Sequence, residues 1–308
     1  MKWGVAICML VSLGACAPTA GPPTASSPSA SPSVVETPAP SAAPSPTPTD
    51  EPLTRAERFA ARLTEIDRDF NDLLAVWLKS TGGKPRGAKF NELKVLGLRK
   101  QKRMRILVRK GELARKVSRQ LPTGLRLETE RNIKAARELY RLTKPVKPPV
   151  HMPTASPEGP KTLLKHYAEA ERRFGVPWTI LASINLIESR MGRLTGPSSA
   201  GALGPMQFMP ATWDAYGKGS PFKPYNAIMA AGRYLSASGA PERMRSALWN
   251  YNHSDYYVDA VLTYHRQMAH KPRSYHSYYF WQVFVRTTEG DLQLTGPGRV
   301  RCSRSALC

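Results

Sequence analysis

Glu188 lies in the stretch Ile184-Asn-Leu-Ile-Glu-Ser189, and downstream follow Gly204-Pro-Met-Gln207 and Ala247-Leu-Trp-Asn-Tyr-Asn252. At about 100° per residue, Ile180, Ile184, Ile187 and Met191 share one apolar arc of a helix, and Glu188 falls on its edge, between Ile184 and Leu181. Apolar neighbours penalise the charged form of a carboxyl, so its pKa moves toward the range in which it donates a proton at neutral pH. Breaking a glycosidic bond needs such a donor, because the leaving oxygen must be protonated as the bond opens. The alternative is a structural glutamate paired with Arg190, Arg193 or a helix N-terminus, and periodicity alone does not separate the two.

The elements that would position this acid can be read from their ends. Pro177 has the character of a first-turn proline and Gly192 that of a stop, which predicts a helix over 177–191. Gly201 and Gly204 allow a tight turn and a close backbone approach to a ligand. Gln207 offers both a donor and an acceptor to sugar hydroxyl and acetamido groups. Trp213, Tyr216, Tyr234, Trp249, Tyr251, Tyr256 and Tyr257 carry flat apolar faces with polar tips, of which Tyr251 is the one expected at the site and the others in the core.

Taken together and in order, Glu188-Ser189, Gly204-Pro205-Met206-Gln207 and Ala247 to Tyr251-Asn252 resemble the catalytic domain of soluble-type lytic transglycosylases, lysozyme-like enzymes that cleave peptidoglycan. Ala227-Ile-Met-Ala-Ala-Gly-Arg-Tyr-Leu235 is similar to the helix that backs the family's groove, and the resemblance extends over about 160–270. It implies a mainly α fold and makes Glu188 the general acid and then the general base. Ser189, Ser198, Met206, Gln207, Tyr251 and Asn252 become substrate-contacting or positioning residues, with peptidoglycan glycan strands as substrate and no cofactor or metal. Pro205 stands where the family usually has Leu or another apolar residue.

Hydrolysis by the usual route needs a second carboxylate near the scissile bond. Asp214, Asp255 and Asp259 are available, and each reads more simply as a helix charge facing solvent. With one acid, the family's alternative is internal: Glu188 protonates the glycosidic oxygen, then takes the proton of the sugar's own 6-hydroxyl as a 1,6-anhydro ring closes. A muramidase using Asp214 and a wall-binding protein without catalysis stand as the competing readings. A costly buried acid argues against the second.

Met1-Lys2 is followed by a short apolar run ending in Leu13-Gly14-Ala15-Cys16, which resembles a bacterial lipoprotein signal over 1–15 with lipid on the Cys16 thiol. Residues 16–52 are almost wholly Pro, Ser, Ala and Thr and read as an extended tether. The expected location is therefore the outer face of the membrane, toward the cell wall. In an exported protein, Cys302 and Cys308 read as a disulfide closing a small terminal loop.

Between tether and enzyme, 53–144 read as a small basic helical domain. Thr54-Arg-Ala-Glu57 is a capping box, Gly82-Gly83 ends the first helix, and further helices are expected over 88–120 and 123–143. Lys and Arg crowd 99–119 against Glu112 alone, and the whole chain carries 45 Lys+Arg against 23 Asp+Glu. Such a surface seeks polyanions. With an export signal the partners expected are anionic lipid or wall polymer, not nucleic acid. A Pro-rich linker is placed at 145–160, the transglycosylase domain at 161–275, and a C-terminal hairpin and tail at 276–308, with one strand read from Tyr279 to Arg286.

Overall fold

The computed structural model describes residues 53–150 and 152–294; Cys16, Cys302 and Cys308 lie outside them. The chain is mainly helical, with one antiparallel hairpin near its C-terminal end. The first helix, α1 (Arg55–Thr81), starts at the expected box, in which the Thr54 hydroxyl accepts from Glu57 N and the Glu57 side chain accepts from Thr54 N. It stops at Gly82, whose φ of 60° suits a residue without Cβ.

The single helix expected over 88–120 is two, α2 (Ala88–Arg109) and α3 (Gly111–Gln120). The chain turns at Lys110 (φ −111°, ψ 82°). Gly111 adds little helix propensity at that point, and the turn lets Ala114 and Val117 pack on Ala56, Ala60 and Leu63 of α1 in a small core of their own. Helix α4 (Thr123–Leu142) follows.

The catalytic part contains α5 (Pro160–Phe174), α6 (Trp178–Ser189), α7 (Pro210–Tyr216), α8 (Pro224–Ala237), α9 (Met244–Tyr251), α10 (Asp255–His270) and α11 (Ser274–Tyr279). Helix α6 has no solvent face: every residue from Thr179 to Ser189 is buried, so Glu188 sits in a core helix rather than on the margin of an amphipathic one. Helices α5 and α10 flank it, and α8 packs behind α5.

The main apolar core does not end at the 145–160 segment. Phe70, Leu74 and Trp77 of α1, Leu93 and Leu96 of α2 and Ala135 and Leu139 of α4 belong to the same cluster as Ile180, Ile184, Tyr264 and Phe280. Polar contacts cross as well. Buried Lys100 meets Asp67 (2.6 Å) and Glu128, and Lys271 of α10 reaches Glu128 at 3.3 Å. Burial works against the Lys100 charge, but Glu128 and Asp67 outweigh it and hold the amine above the usual lysine range. The basic run is thus not one solvated face, since Lys100 is buried and Arg105 and Arg109 pair with Asp291.

The strand expected from Tyr279 is shorter. Tyr275, Tyr278, Tyr279, Phe280 and Trp281 are drawn into the core, leaving β1 (Phe284–Thr287) and β2 (Gly290–Gln293), paired from Phe284↔Gln293 to Thr287↔Gly290. Val146 adds a parallel bridge to Thr287, and Thr154 bridges Leu194, so the 143–155 segment runs as a strap between the hairpin and the loop after α6.

Candidate active site

Glu188 is fully buried on the last turn of α6. Its Oε1 accepts the Tyr257 hydroxyl at 2.7 Å, and its Oε2 has no partner. Burial pushes the carboxyl up to about 8, against the Tyr257 hydrogen bond and the Arg190 charge, which pull it down. The structural alternative is not what the chain adopts. Arg190 donates to Leu186 O, while Arg193 donates to Arg190 O at 3.1 Å and lies over the Tyr279 ring, so neither holds the acid as an ion pair.

The helix ends one residue later, earlier than Gly192 implied. Arg190, Met191 and Gly192 have φ of 54°, 63° and 88°, and Met191 N reaches back to Asn185 O at 3.1 Å. Among the described residues only Arg190, Met191 and Gln207 are non-glycines at positive φ, and all three border the acid in sequence or through the loop that braces its helix. In that loop Gly204 has no substitute, because a Cβ would stand 2.0 Å from Pro221 O.

Each expected site residue has a definite place. The Ser189 hydroxyl donates to Pro205 O at 2.6 Å and accepts from Gly192 N at 2.9 Å; wholly buried, it braces the helix end against the loop and does not face a ligand. Met206 is also buried, and its carbonyl accepts the Tyr251 hydroxyl at 2.7 Å. Tyr251 therefore holds the loop and stacks parallel to Tyr257 (6.4 Å between ring centres), while Tyr257 holds the acid. Gln207 donates from Nε2 to Gly204 O at 2.8 Å, and its buried Oε1 is unpartnered, as is Asn185 Oδ1 one turn before Glu188. Ser198 Oγ accepts from Ala202 N (3.0 Å) and Ala200 N (3.3 Å), closing the turn before Gly204. Asn252 caps α9, where its carbonyl accepts from Ser254 N. Asn185 carries no role in the sequence reading, and Tyr257, one of the seven aromatics named there, is expected in the core and not on the acid.

A small cavity of about 40 Å³ reaches Glu188, and its other walls include Arg190, Leu194, Val146, Met152, Phe284 and Arg286. At roughly 10–15 Å³ per water it admits a few waters and no sugar ring. Strap and hairpin are stitched together over it: Val146 N donates to Arg286 O and Thr288 N to Val146 O, both at 3.0 Å, and Ala155 N donates to Arg193 O at 2.9 Å. No other carboxylate lines this cavity. Asp214 is exposed on α7, and Asp255 and Asp259 pair outward with Arg245 at 2.8 and 2.7 Å.

The candidate site is thus a buried acid on a core helix, braced by a glycine loop and a tyrosine from a neighbouring helix. Residues 165–271 match the family model of the transglycosylase SLT domain, and this part of the chain is a lytic transglycosylase domain acting on peptidoglycan. No curated protein and no solved structure matches the chain. The matched span runs from α5 through α10; α1–α4, the strap and the hairpin lie outside it.

Proposed function

We propose that the protein cleaves the β-1,4 bond between MurNAc and GlcNAc and leaves 1,6-anhydro-MurNAc ends, with Glu188 as the only acid-base group. The observation that carries this is the asymmetry of its carboxyl: Oε1 is held by Tyr257, and Oε2 is unpartnered in an environment that raises the pKa to about 8. A proton on Oε2 passes to the glycosidic oxygen as the C1–O bond breaks. The carboxylate, supported by the tyrosine hydroxyl, then removes the proton of the 6-hydroxyl as its oxygen bonds to C1, which regenerates the acid without water. Gln207, whose Oε1 is unpartnered, is the substrate contact best supported; Ser198, Tyr251 and Asn252 complete or brace the groove.

Hydrolysis with Asp214 is the second reading, and the exposure of Asp214 on α7 weighs against it. The sequence further supports export with lipid on Cys16, and the surplus of Lys and Arg supports attraction of the basic helices to anionic lipid or wall polymer. Mass analysis of purified peptidoglycan digested by the protein and by Glu188→Gln tests the proposal. Anhydro-muropeptides from the unmutated protein alone are expected; reducing-end products would favour the muramidase, and products from both proteins would remove Glu188 from the chemistry.

A further inference from the structure

A second cleft lies away from Glu188. It lies between α3 and α4, has a volume of about 740 Å³, and is lined by Arg115, Arg119, Arg126, Lys134, Arg137 and Arg141. Two carboxylates, Glu130 and Glu138, share the lining, and Arg141 pairs with Glu138 at 2.9 Å. Arg137 gives its Nε to Val108 O at 3.2 Å. Among the described residues Arg115, Arg119, Arg126 and Lys134 form no ion pair, so six cations outnumber the two carboxylates of the cleft.

The cations are ordered along the cleft. On α4, Arg126, Lys134, Arg137 and Arg141 lie on one stripe at helical spacing, with Glu130 between Arg126 and Lys134. Arg115 and Arg119 form the facing edge on α3. From Arg126 to Arg141 the stripe runs about 22 Å at 1.5 Å per residue, long enough for several consecutive anionic groups. A concave trough suits a linear polymer better than a flat bilayer, and its walls concentrate the field along the axis. Its lining has no Phe, Tyr or Trp, which removes the stacking platforms that single-stranded nucleic acid uses.

We propose that this cleft binds a linear phosphodiester polymer without bases, of the polyol-phosphate type, and so holds the enzyme on polyanion-bearing wall. The proposal rests on the attraction of the basic helices to polyanions given above and assigns that attraction a site.

The test uses the full chain and a labelled poly(glycerol phosphate) oligomer, read by fluorescence anisotropy over a salt series. One variant combines Arg115→Glu, Arg119→Glu, Arg126→Glu and Lys134→Glu. A control makes the same charge change elsewhere, with Lys84→Glu, Arg86→Glu, Lys89→Glu and Arg99→Glu, all at exposed positions. The cleft variant is expected to bind roughly tenfold or more weakly, with a shallower salt slope by about one per reversed contact, while the control loses far less. Both should keep the thermal unfolding of the parent and its activity on isolated glycan fragments. Equal losses in the two variants would overturn the cleft and leave general polyanion attraction standing. No binding to any probe would overturn both, and tighter binding to oligouridylate or to phosphatidylglycerol vesicles would replace the polymer with nucleic acid or a lipid surface.

Discussion

The Tyr257 hydroxyl donates to Glu188 Oε1 at 2.7 Å across the interface of α10 and α6, and this contact pulls the acid's pKa down while burial pushes it up. The tyrosine thus favours the carboxylate form, which the proposed mechanism uses in its second half.

Tyr257→Phe removes that donor without changing the ring that stacks on Tyr251. A hydrogen bond to a charged group contributes about 1.5–3 kcal/mol, so turnover should fall roughly ten- to a hundredfold, and the alkaline limb of the pH–rate profile should move upward. A profile that drops in height without shifting would mean the tyrosine only supports the fold.

The Glu188 carboxyl also makes stability depend on pH. Below 4.5 it is protonated in both the folded and the unfolded chain; between 4.5 and about 8 only the unfolded chain ionises, so stability falls as pH rises through that window and levels off above it. Glu188→Gln lacks this term. In urea unfolding, its stability relative to the parent should rise by at least about 1.4 kcal/mol, one pKa unit, between pH 4 and pH 9. A constant difference would contradict the raised pKa.

Val146 and Met152 of the strap wall a cavity of about 40 Å³ at Glu188, and if substrate enters through it the strap has to move. Thr154 and Leu194 face each other in an antiparallel bridge, a geometry within reach of a disulfide. The pair Thr154→Cys and Leu194→Cys, once oxidised, should lose most activity on peptidoglycan and regain it on reduction, with each single variant unaffected. Full activity in the oxidised form would show that the strap does not gate the acid.

Lys100→Met should cost about 3–5 kcal/mol, since it leaves buried Glu128 and partly buried Asp67 without their shared cation, with only Lys271 at 3.3 Å on Glu128. Because Phe70, Leu74 and Leu139 share a core with α6 and α10, the variant should still unfold in one transition by circular dichroism. Two separated transitions would contradict the shared core.

What the sequence made legible was local. The Thr54–Glu57 box and the Gly82 stop were readable because each involves neighbours in the chain, and helix α6 and the cost of placing Glu188 in it followed from periodicity and composition. Long-range choices were not readable. The turn at Lys110 depends on α3 finding α1, the short β1 on five aromatic residues entering the core, and the pairing of Tyr257 with Glu188 on how α10 is rotated. Ser189 shows the same limit, since its hydroxyl is taken by a carbonyl 16 residues away. The strap leaves no sequence signal beyond its prolines, because its bridges to Leu194 and Thr287 are made by backbone.

The central claim is that Glu188 acts alone and the sugar's own hydroxyl, not water, closes the reaction. Digestion of peptidoglycan in ¹⁸O-enriched water tests it most directly, with mass analysis of the new ends. The account expects anhydro ends carrying no ¹⁸O; ¹⁸O at C1 of new reducing ends, formed as fast as the bonds are cut, would contradict it.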